Sequence, residues 1–357
     1  MSQTVQREEL VKQLVSVMPG LSAQEILEQS SCFVFLGKQV VTFNGDAACW
    51  TPCCLKMRGA VQAKTLLDIL KARPEDTLNI STDNNKLVMR GKGNRITRMT
   101  METEITLPFR EVREPKQWFT LPGDFLEGID MVHRCCGKNQ EHLETFVHIV
   151  DDCIEAIGEH QVGHYRTKLD VGSGVIVHKD SIKHIVPLGM TECGLTKKWI
   201  HFRNSAGVVL SCLRWPGEDD YPDTSKVLKG KKGKRMDLPR GLDKAVSRAA
   251  IFSRDNPEDS DVEISLKGGK VICKGSGIQG DHKETRKVTY GGQNMSFTIS
   301  PVLLSDLCHK HTEAWVTPTT LTVKSGKFTF VTALGVEDDN DNNNSSQEEK
   351  DDGDNEE

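Results

Sequence analysis

Eleven histidines and eleven cysteines are the residues of this 357-residue chain best suited to attack a substrate or hold a metal. Their spacing speaks against both roles. No Cys-x-x-Cys occurs, Cys53-Cys54 and Cys135-Cys136 are adjacent pairs, and the other cysteines are scattered. An odd count without metal spacing suggests reduced thiols. Cys308-His309-Lys310-His311 has no partner cluster to complete a zinc site and reads as helix surface. The histidines show no nucleophile or carboxylate at a readable spacing. Gly-x-x-x-x-Gly-Lys-Ser/Thr, Gly-x-Ser-x-Gly and His-Glu-x-x-His are all missing from the sequence. Gly91-Lys92-Gly93-Asn94 and Gly275-Ser276-Gly277 read as hairpin glycines rather than phosphate cradles. Glu218-Asp219-Asp220 reads as a solvated loop. These residues predict a protein that is not an enzyme and needs no metal or cofactor.

The cations are a better lead. Lys12, Lys64, Lys71, Arg73, Arg134, Lys138, Lys179, Lys183, Arg240, Lys244, Arg248, Arg254 and Lys310 fall on or beside six predicted helices. A lysine on any amphipathic helix faces water, so it is the recurrence that suggests phosphate binding. Lys229-Gly230-Lys231-Lys232-Gly233-Lys234-Arg235 is a denser basic run on an expected linker. The net charge of −5 conceals this distribution. Residues 337–357 hold 11 acids and one lysine, which leaves the preceding 336 residues at +5. The acidic stretch is expected to be disordered, because it has almost nothing to bury. It would serve as a solubilising tail or as a fence keeping nucleic acid off the wrong surface.

The elements that carry these cations repeat. Three segments read as a strand turning into a helix: Ala60 to Leu70, Val175 to Ile185 and Phe297 to Leu307. With Ala63, His178 and Ser300 taken as equivalent, the spacings are 115 and 122 residues. A second helix recurs out of phase, at Leu121-Pro122-Gly123-Asp124-Phe125 and again at Leu238-Pro239-Arg240-Gly241-Leu242, 117 residues on. In each, Pro is placed in the first helical turn. Glu8 to Val15 fills the same place at the start of the chain. The rest of each unit reads as short strands: Cys32 to Phe43 as a hairpin turning at Gly37-Lys38, Leu78 to Met89 turning at Asn84-Asn85, and Val262 to Cys273 turning at Gly268-Gly269. The expected class is α+β, in three tandem domains at 1–115, 116–235 and 236–336.

This layout resembles the bacterial-type DNA sliding clamp, the beta subunit of the replicative polymerase, over residues 8–335. The sharpest matches are Asp220-Tyr221-Pro222-Asp223 followed by Val227-Leu228, Ser247-Arg248-Ala249-Ala250-Ile251-Phe252-Ser253, and Ala72-Arg73-Pro74-Glu75. The resemblance implies two helices per domain packed on curved antiparallel sheets. Two chains would close head to tail into a ring, with the helices lining the hole and their cations facing double-stranded DNA without reading its sequence. It also implies a homodimer joint with Ile69 and Ile96 on one side and Ile251 and Phe252 on the other. Short peptides from the replicative polymerase and the clamp loader would enter a groove formed by Gly158, His160, Gln161, Val162, Val227, Leu228, Lys229, Thr332 and Leu334.

The groove departs from the family pattern. Gly158-Glu159-His160-Gln161-Val162-Gly163 replaces Thr-Asp-Gly-His-Arg-Leu, Lys229 replaces a proline, and Thr332 to Val336 replaces Met-Pro-Met-Arg-Leu. Such drift would suit a clamp serving its own polymerase, as in a virus of bacteria. Two alternatives are a clamp-fold scaffold or decoy that does not encircle DNA, and an unrelated three-domain nucleic-acid enzyme. The polar N-terminus lacks an apolar signal core, and no apolar run reaches the roughly 20 residues that span a bilayer. A cytoplasmic protein with no membrane partner is expected. Because the tail has no apolar periodicity, truncation after Val336 should leave the denaturation midpoint almost unchanged; a fall of about ten degrees would show that the tail packs on the body.

Overall fold

The computed structural model describes residues 2–137, 143–169, 174–217, 221–229, 233–253 and 261–335. Lys138, Arg254, Glu218-Asp219-Asp220, the centre of the basic run and the acidic tail lie outside the described residues. The class is α+β, and every strand pairing described below is antiparallel. The helices among the described residues are α1 (Arg7–Ser16), α2 (Ala63–Ala72), α3 (Phe125–Val132), α4 (Lys179–Ile182), α5 (Ser225–Leu228), α6 (Leu242–Ala249) and α7 (Pro301–Lys310). None is long and apolar enough to cross a membrane.

Each longer helix forms because its apolar residues recur on one face, and that face is the one buried. Leu10 and Leu14 of α1 are buried, as are Leu66, Leu67 and Leu70 of α2, and Leu242, Ala245, Val246 and Ala249 of α6. The helices pack in pairs, α1 with α2 and α6 with α7, while α3 meets the 3₁₀ turn Lys183–Ile185 that prolongs α4. The three strand-to-helix junctions share one geometry. Gln62, His178 and Ser300 cap α2, α4 and α7 with φ of −53°, −61° and −55° and ψ of 119°, 134° and 124°. Gln62, rather than Ala63, is therefore the true equivalent of His178 and Ser300. Pro301 opens α7, whereas Pro122 and Pro239 sit outside their helices. Each lies three residues ahead, and its carbonyl accepts the amide of the first helical residue, Phe125 or Leu242, at 3.0 Å.

The chain divides into two compact units, one up to Lys226 and one from Val227 on. In the first, Ser2–Gln6, Thr77–Asp83, Lys86–Arg90 and Ile96–Thr100 form a four-stranded sheet in that order. A six-stranded sheet runs Cys32–Phe43, Ala47–Gln62, Val209–Leu213, Trp199–Arg203, Glu192–Leu195, Phe119–Thr120. It joins distant stretches of chain, pairing Trp50 with Val209 and Ala47 with Cys212. Val175–His178, Phe146–Val150, Cys153–Gly158 and Gln161–Arg166 follow one another as hydrogen-bonded neighbours. In the second unit, Phe328–Ala333, Thr320–Ser325, Glu313–Val316 and Lys234–Asp237 are neighbours, and Gly280–Lys287, Lys270–Gly277, Val262–Lys267 and Met295–Ile299 form another sheet.

Two of the three predicted hairpin turns are present. Asn84 and Asn85 have φ of 43° and 60°, and Gly268 and Gly269 have 57° and 71°, the left-handed pair that a two-residue turn needs. Gly37-Lys38 is not a turn. Cys32–Phe43 is one strand with an irregularity between Gly37 and Gln39, and the reversal comes later, where Asn44 binds the amides of Asp46 and Ala47. Gly275 is not a turn residue either. It lies within strand Lys270–Gly277, and a Cβ there would stand 1.9 Å from the Ala249 carbonyl oxygen at the end of α6. Gly275→Ala should therefore cost about 1–3 kcal/mol by overpacking, read as a lower denaturant midpoint; an unchanged midpoint would refute so close an approach.

Candidate nucleic-acid interface

Burial of one helix face leaves the cations on the other. Lys12, Lys64, Lys71, Arg240 and Lys244 are exposed and, among the described residues, carry no ion pair. Others are engaged. Arg134 pairs with Asp130 at 2.8 Å, Lys183 with Asp180 at 2.5 Å, Arg248 with Glu284 at 2.7 Å and Lys310 with Asp306 at 3.3 Å. Lys179 donates to the Gly137 carbonyl. Exposed pairs of this kind contribute little and can be exchanged for a phosphate.

Arg73 is a correction. It follows α2, its side chain is only 8% exposed, and it donates to Thr97 Oγ1 at 2.6 Å and the Met89 carbonyl at 3.3 Å. Held 3.8 Å from the buried Glu75 carboxylate, it braces the sheet and cannot meet a phosphate.

Histidine constellations exist that the spacing did not reveal. His201 Nδ1 lies 2.6 Å from Ser211 Oγ and its other nitrogen 3.1 Å from Thr196 Oγ1. This is a Ser–His pair without a carboxylate, and both residues are fully buried. Burial pushes His201 down to about 4, so the ring is neutral at pH 7 and out of reach of a substrate. His148 Nδ1 is 2.8 Å from Glu155 Oε1, directly across strands Phe146–Val150 and Cys153–Gly158. Burial pushes the Glu155 carboxyl up. Hydrogen bonds from His148 and Thr224 and the charges of His148 and His164 outweigh burial and leave it below its usual value of 4.5.

All eleven cysteines are free, and burial pushes the Cys32 and Cys193 thiols up to about 11. That is the inert kind of thiol. Cys308, His309 and His311 do not converge. His309 binds the Ser305 carbonyl on α7, while His311 is buried and stacks on Phe328. No group of three potential ligands gathers among the described residues.

The residues expected in the groove lie in both units. In the first, Gly158 and Gln161 flank the exposed hairpin end at Glu159-His160, Gln161 donates to the Cys135 carbonyl at 3.0 Å, and Val162 is buried. In the second, Val227 is exposed, Leu228 is half-buried, Lys229 is exposed, and Thr332 and Leu334 are buried. The four residues expected at a dimer joint all lie outside the core. Ile96 and Ile251 are 46% and 57% exposed, Ile69 is half-buried, and Phe252 stacks on His282 beside Gly280.

No protein-family model and no curated protein matches the sequence. Solved structures do. The DnaN sliding clamp (DNA polymerase III subunit beta) from Bartonella birtlesii, bound to griselimycin, matches with TM-score 0.79 and 16% identity, covering 94% of this chain and 99% of that one. The DNA polymerase III beta subunit from Thermotoga maritima matches with TM-score 0.77 and 13% identity, over 93% and 98%. The subunit beta from Pseudomonas aeruginosa gives 0.74 and 18%, over 94% and 99%. This chain has the sliding-clamp fold. At such identity the clamp fold is carried by apolar pattern and turn chemistry more than by particular side chains.

Glu155 provides a check on the site's electrostatics. A carboxyl whose folded-state pKa is depressed contributes stability above its unfolded pKa, and that contribution is lost as pH falls through the folded value. The gap in denaturation midpoint between wild type and Glu155→Gln should therefore be widest above pH 4.5 and shrink below it. A gap independent of pH would show that the ionised carboxylate is not what His148 and Thr224 bind.

Proposed function

We propose that this chain is a DNA sliding clamp, a non-catalytic processivity factor. Two copies would close head to tail around duplex DNA and tether the replicative polymerase. The reading rests above all on one observation: the clamp fold extends over 94% of this chain and 99% of the Bartonella clamp. The three clamp domains are taken as 1–115, 116–235 and 236–336; the first unit, which ends at Lys226, holds the first of them and most of the second.

The chemistry suits the role. Lys12, Lys64, Lys71, Arg240 and Lys244 stand on the solvent faces of α1, α2 and α6 or beside them, and engaged cations stand on α4 and α7. Phosphate contacts by such side chains release counterions and carry no sequence information. A closed ring holds duplex DNA by topology, so each contact can stay weak and exchange as the ring slides. Ile69, Ile96, Ile251 and Phe252 are apolar and none is core, which suits the proposed dimer joint. Exposed Val227 and half-buried Leu228 suit a groove for short peptides of the polymerase and the clamp loader. The divergence of the groove suits a clamp that serves its own polymerase, as in a virus of bacteria.

A second reading has an observation in its favour. Many of the helix cations are already paired with carboxylates, and residues 1–226 hold 27 Lys and Arg against 29 Asp and Glu. A clamp-fold scaffold that does not encircle DNA would show this balance, and it could be monomeric.

One comparison separates the readings. Loaded on circular plasmid at moderate salt, the protein should be retained and then slide off when the plasmid is linearised. Lys12→Glu, Lys64→Glu and Lys244→Glu together should impair loading while leaving a dimer in sedimentation, and Ile96→Asp should shift the dimer to monomer. Equal retention on circular and linear DNA, or a wild-type protein that sediments only as monomer at micromolar concentration, would favour the scaffold.

A further inference from the structure

The short helix α5 begins at Ser225, at the end of the first unit, and runs on to Val227 and Leu228; its four residues are far too few to hold a helix in place alone. What precedes it in the first unit is tied down. Strand Phe146–Val150 turns Phe146 and His148 toward one face, two residues apart. The Trp215 ring meets Phe146 edge to face at 5.2 Å, and the Trp215 amide binds the Ile176 carbonyl at 2.9 Å. The Tyr221 ring lies over His148 with centroids 4.4 Å apart. Its hydroxyl accepts the Ile157 amide at 3.1 Å and donates to the Phe146 carbonyl at 3.5 Å. Thr224, buried, donates to Glu155 Oε2 at 2.6 Å, and the other oxygen of that carboxylate is bound to His148. Ser225, the first residue of α5, follows at once.

We propose that Tyr221 and Thr224 are positioning residues. They clasp the chain before α5 onto the strand pair Phe146–Val150 and Cys153–Gly158, and so fix where Val227 and Leu228 are presented to a partner peptide. The proposal rests on the reading of α5 as part of the peptide-binding surface. The clasp is selective because it leaves little slack. A buried Thr224 hydroxyl or Glu155 oxygen without its partner bears a full desolvation penalty, so the segment has one satisfied position. The Tyr221 ring, tilted over His148 on the same face of the strand pair, sets the same position through the backbone of Ile157 and Phe146.

Hydrogen exchange of amides 223–229, measured in the full-length chain, reads the clasp directly. Thr224→Val and Tyr221→Phe should each speed that exchange about tenfold, the loss expected of one buried hydrogen bond, while exchange in α1 and α2 stays unchanged. Thr224→Ser, which keeps the hydroxyl, should stay within about twofold of wild type. Primer extension on circular DNA by the replicative polymerase of the encoding organism reads the consequence. Product length should shorten with Thr224→Val and recover with Thr224→Ser, while retention on circular DNA is unaltered. Exchange unaffected by either variant would overturn the clasp, and faster exchange with unaltered product length would overturn its positioning role. A wild-type protein that supports no extension would count against the clamp reading itself, and the exchange data would still decide the clasp.

Discussion

The strand Ala47–Gln62 is the constraint on which the first unit depends. Sixteen residues long, it cannot leave its backbone amides and carbonyls unpaired inside the protein. Cys32–Phe43 pairs along one edge and Val209–Leu213 along the other. The second pairing joins residues about 160 positions apart, so two stretches that look like separate repeats share one ladder and one core. Trp50, Ala48, Val34 and Val41 pack with Trp199 and Val209, and Trp118 closes against the same cluster. The end of the same strand turns through Gln62 into α2, so the ladder that joins the repeats also aims a helix and the Lys64 and Lys71 side chains on its solvent face.

That dependence explains what could be read from the sequence and what could not. The helix pairs and the strand-to-helix junctions were legible because apolar residues at helical spacing leave a local record, but the capping residues Gln62, His178 and Ser300 differ in type, so the first junction was read one residue late, at Ala63. Asn84-Asn85 and Gly268-Gly269 were legible for a similar reason, since few other residues tolerate positive φ. Gly37 has positive φ too, at 80°, but its conformation serves a bulge within a long strand, and a glycine alone does not separate the two uses. His148 and Glu155 were missed because they are seven residues apart and become neighbours only when their strands pair. The burial of Arg73 depends on strands Lys86–Arg90 and Ile96–Thr100 closing over it, which spacing along the helix does not record.

Charge is distributed unevenly. Residues 227–336 hold 18 Lys and Arg against 11 Asp and Glu, so the positive excess lies in that stretch, while residues 1–226 are near balance. A strong, uniform positive lining would hold DNA tightly and resist movement. Exposed ion pairs contribute about 0–1 kcal/mol each, so Lys183, Arg248 or Lys310 can leave its carboxylate for a passing phosphate at little cost and return afterwards. On the proposed clamp reading, such intramolecular pairing would keep each phosphate contact weak and reversible.

The hairpin Cys153–Arg166 separates positioning from recognition within a few residues. Its buried side supplies Glu155 and the Ile157 amide, which hold Thr224 and Tyr221. Its end, Glu159-His160, is exposed. A change at Glu155 would strand the Thr224 hydroxyl and the His148 ring together, so that position is bound to its partners by the desolvation cost of buried polar groups. A change at the exposed Glu159 leaves those buried bonds untouched. The side chains that differ from the clamp-family pattern here include that exposed end, and the clasp beneath it does not depend on them. Glu159 can therefore vary without disturbing the bonds that hold Thr224 and Tyr221.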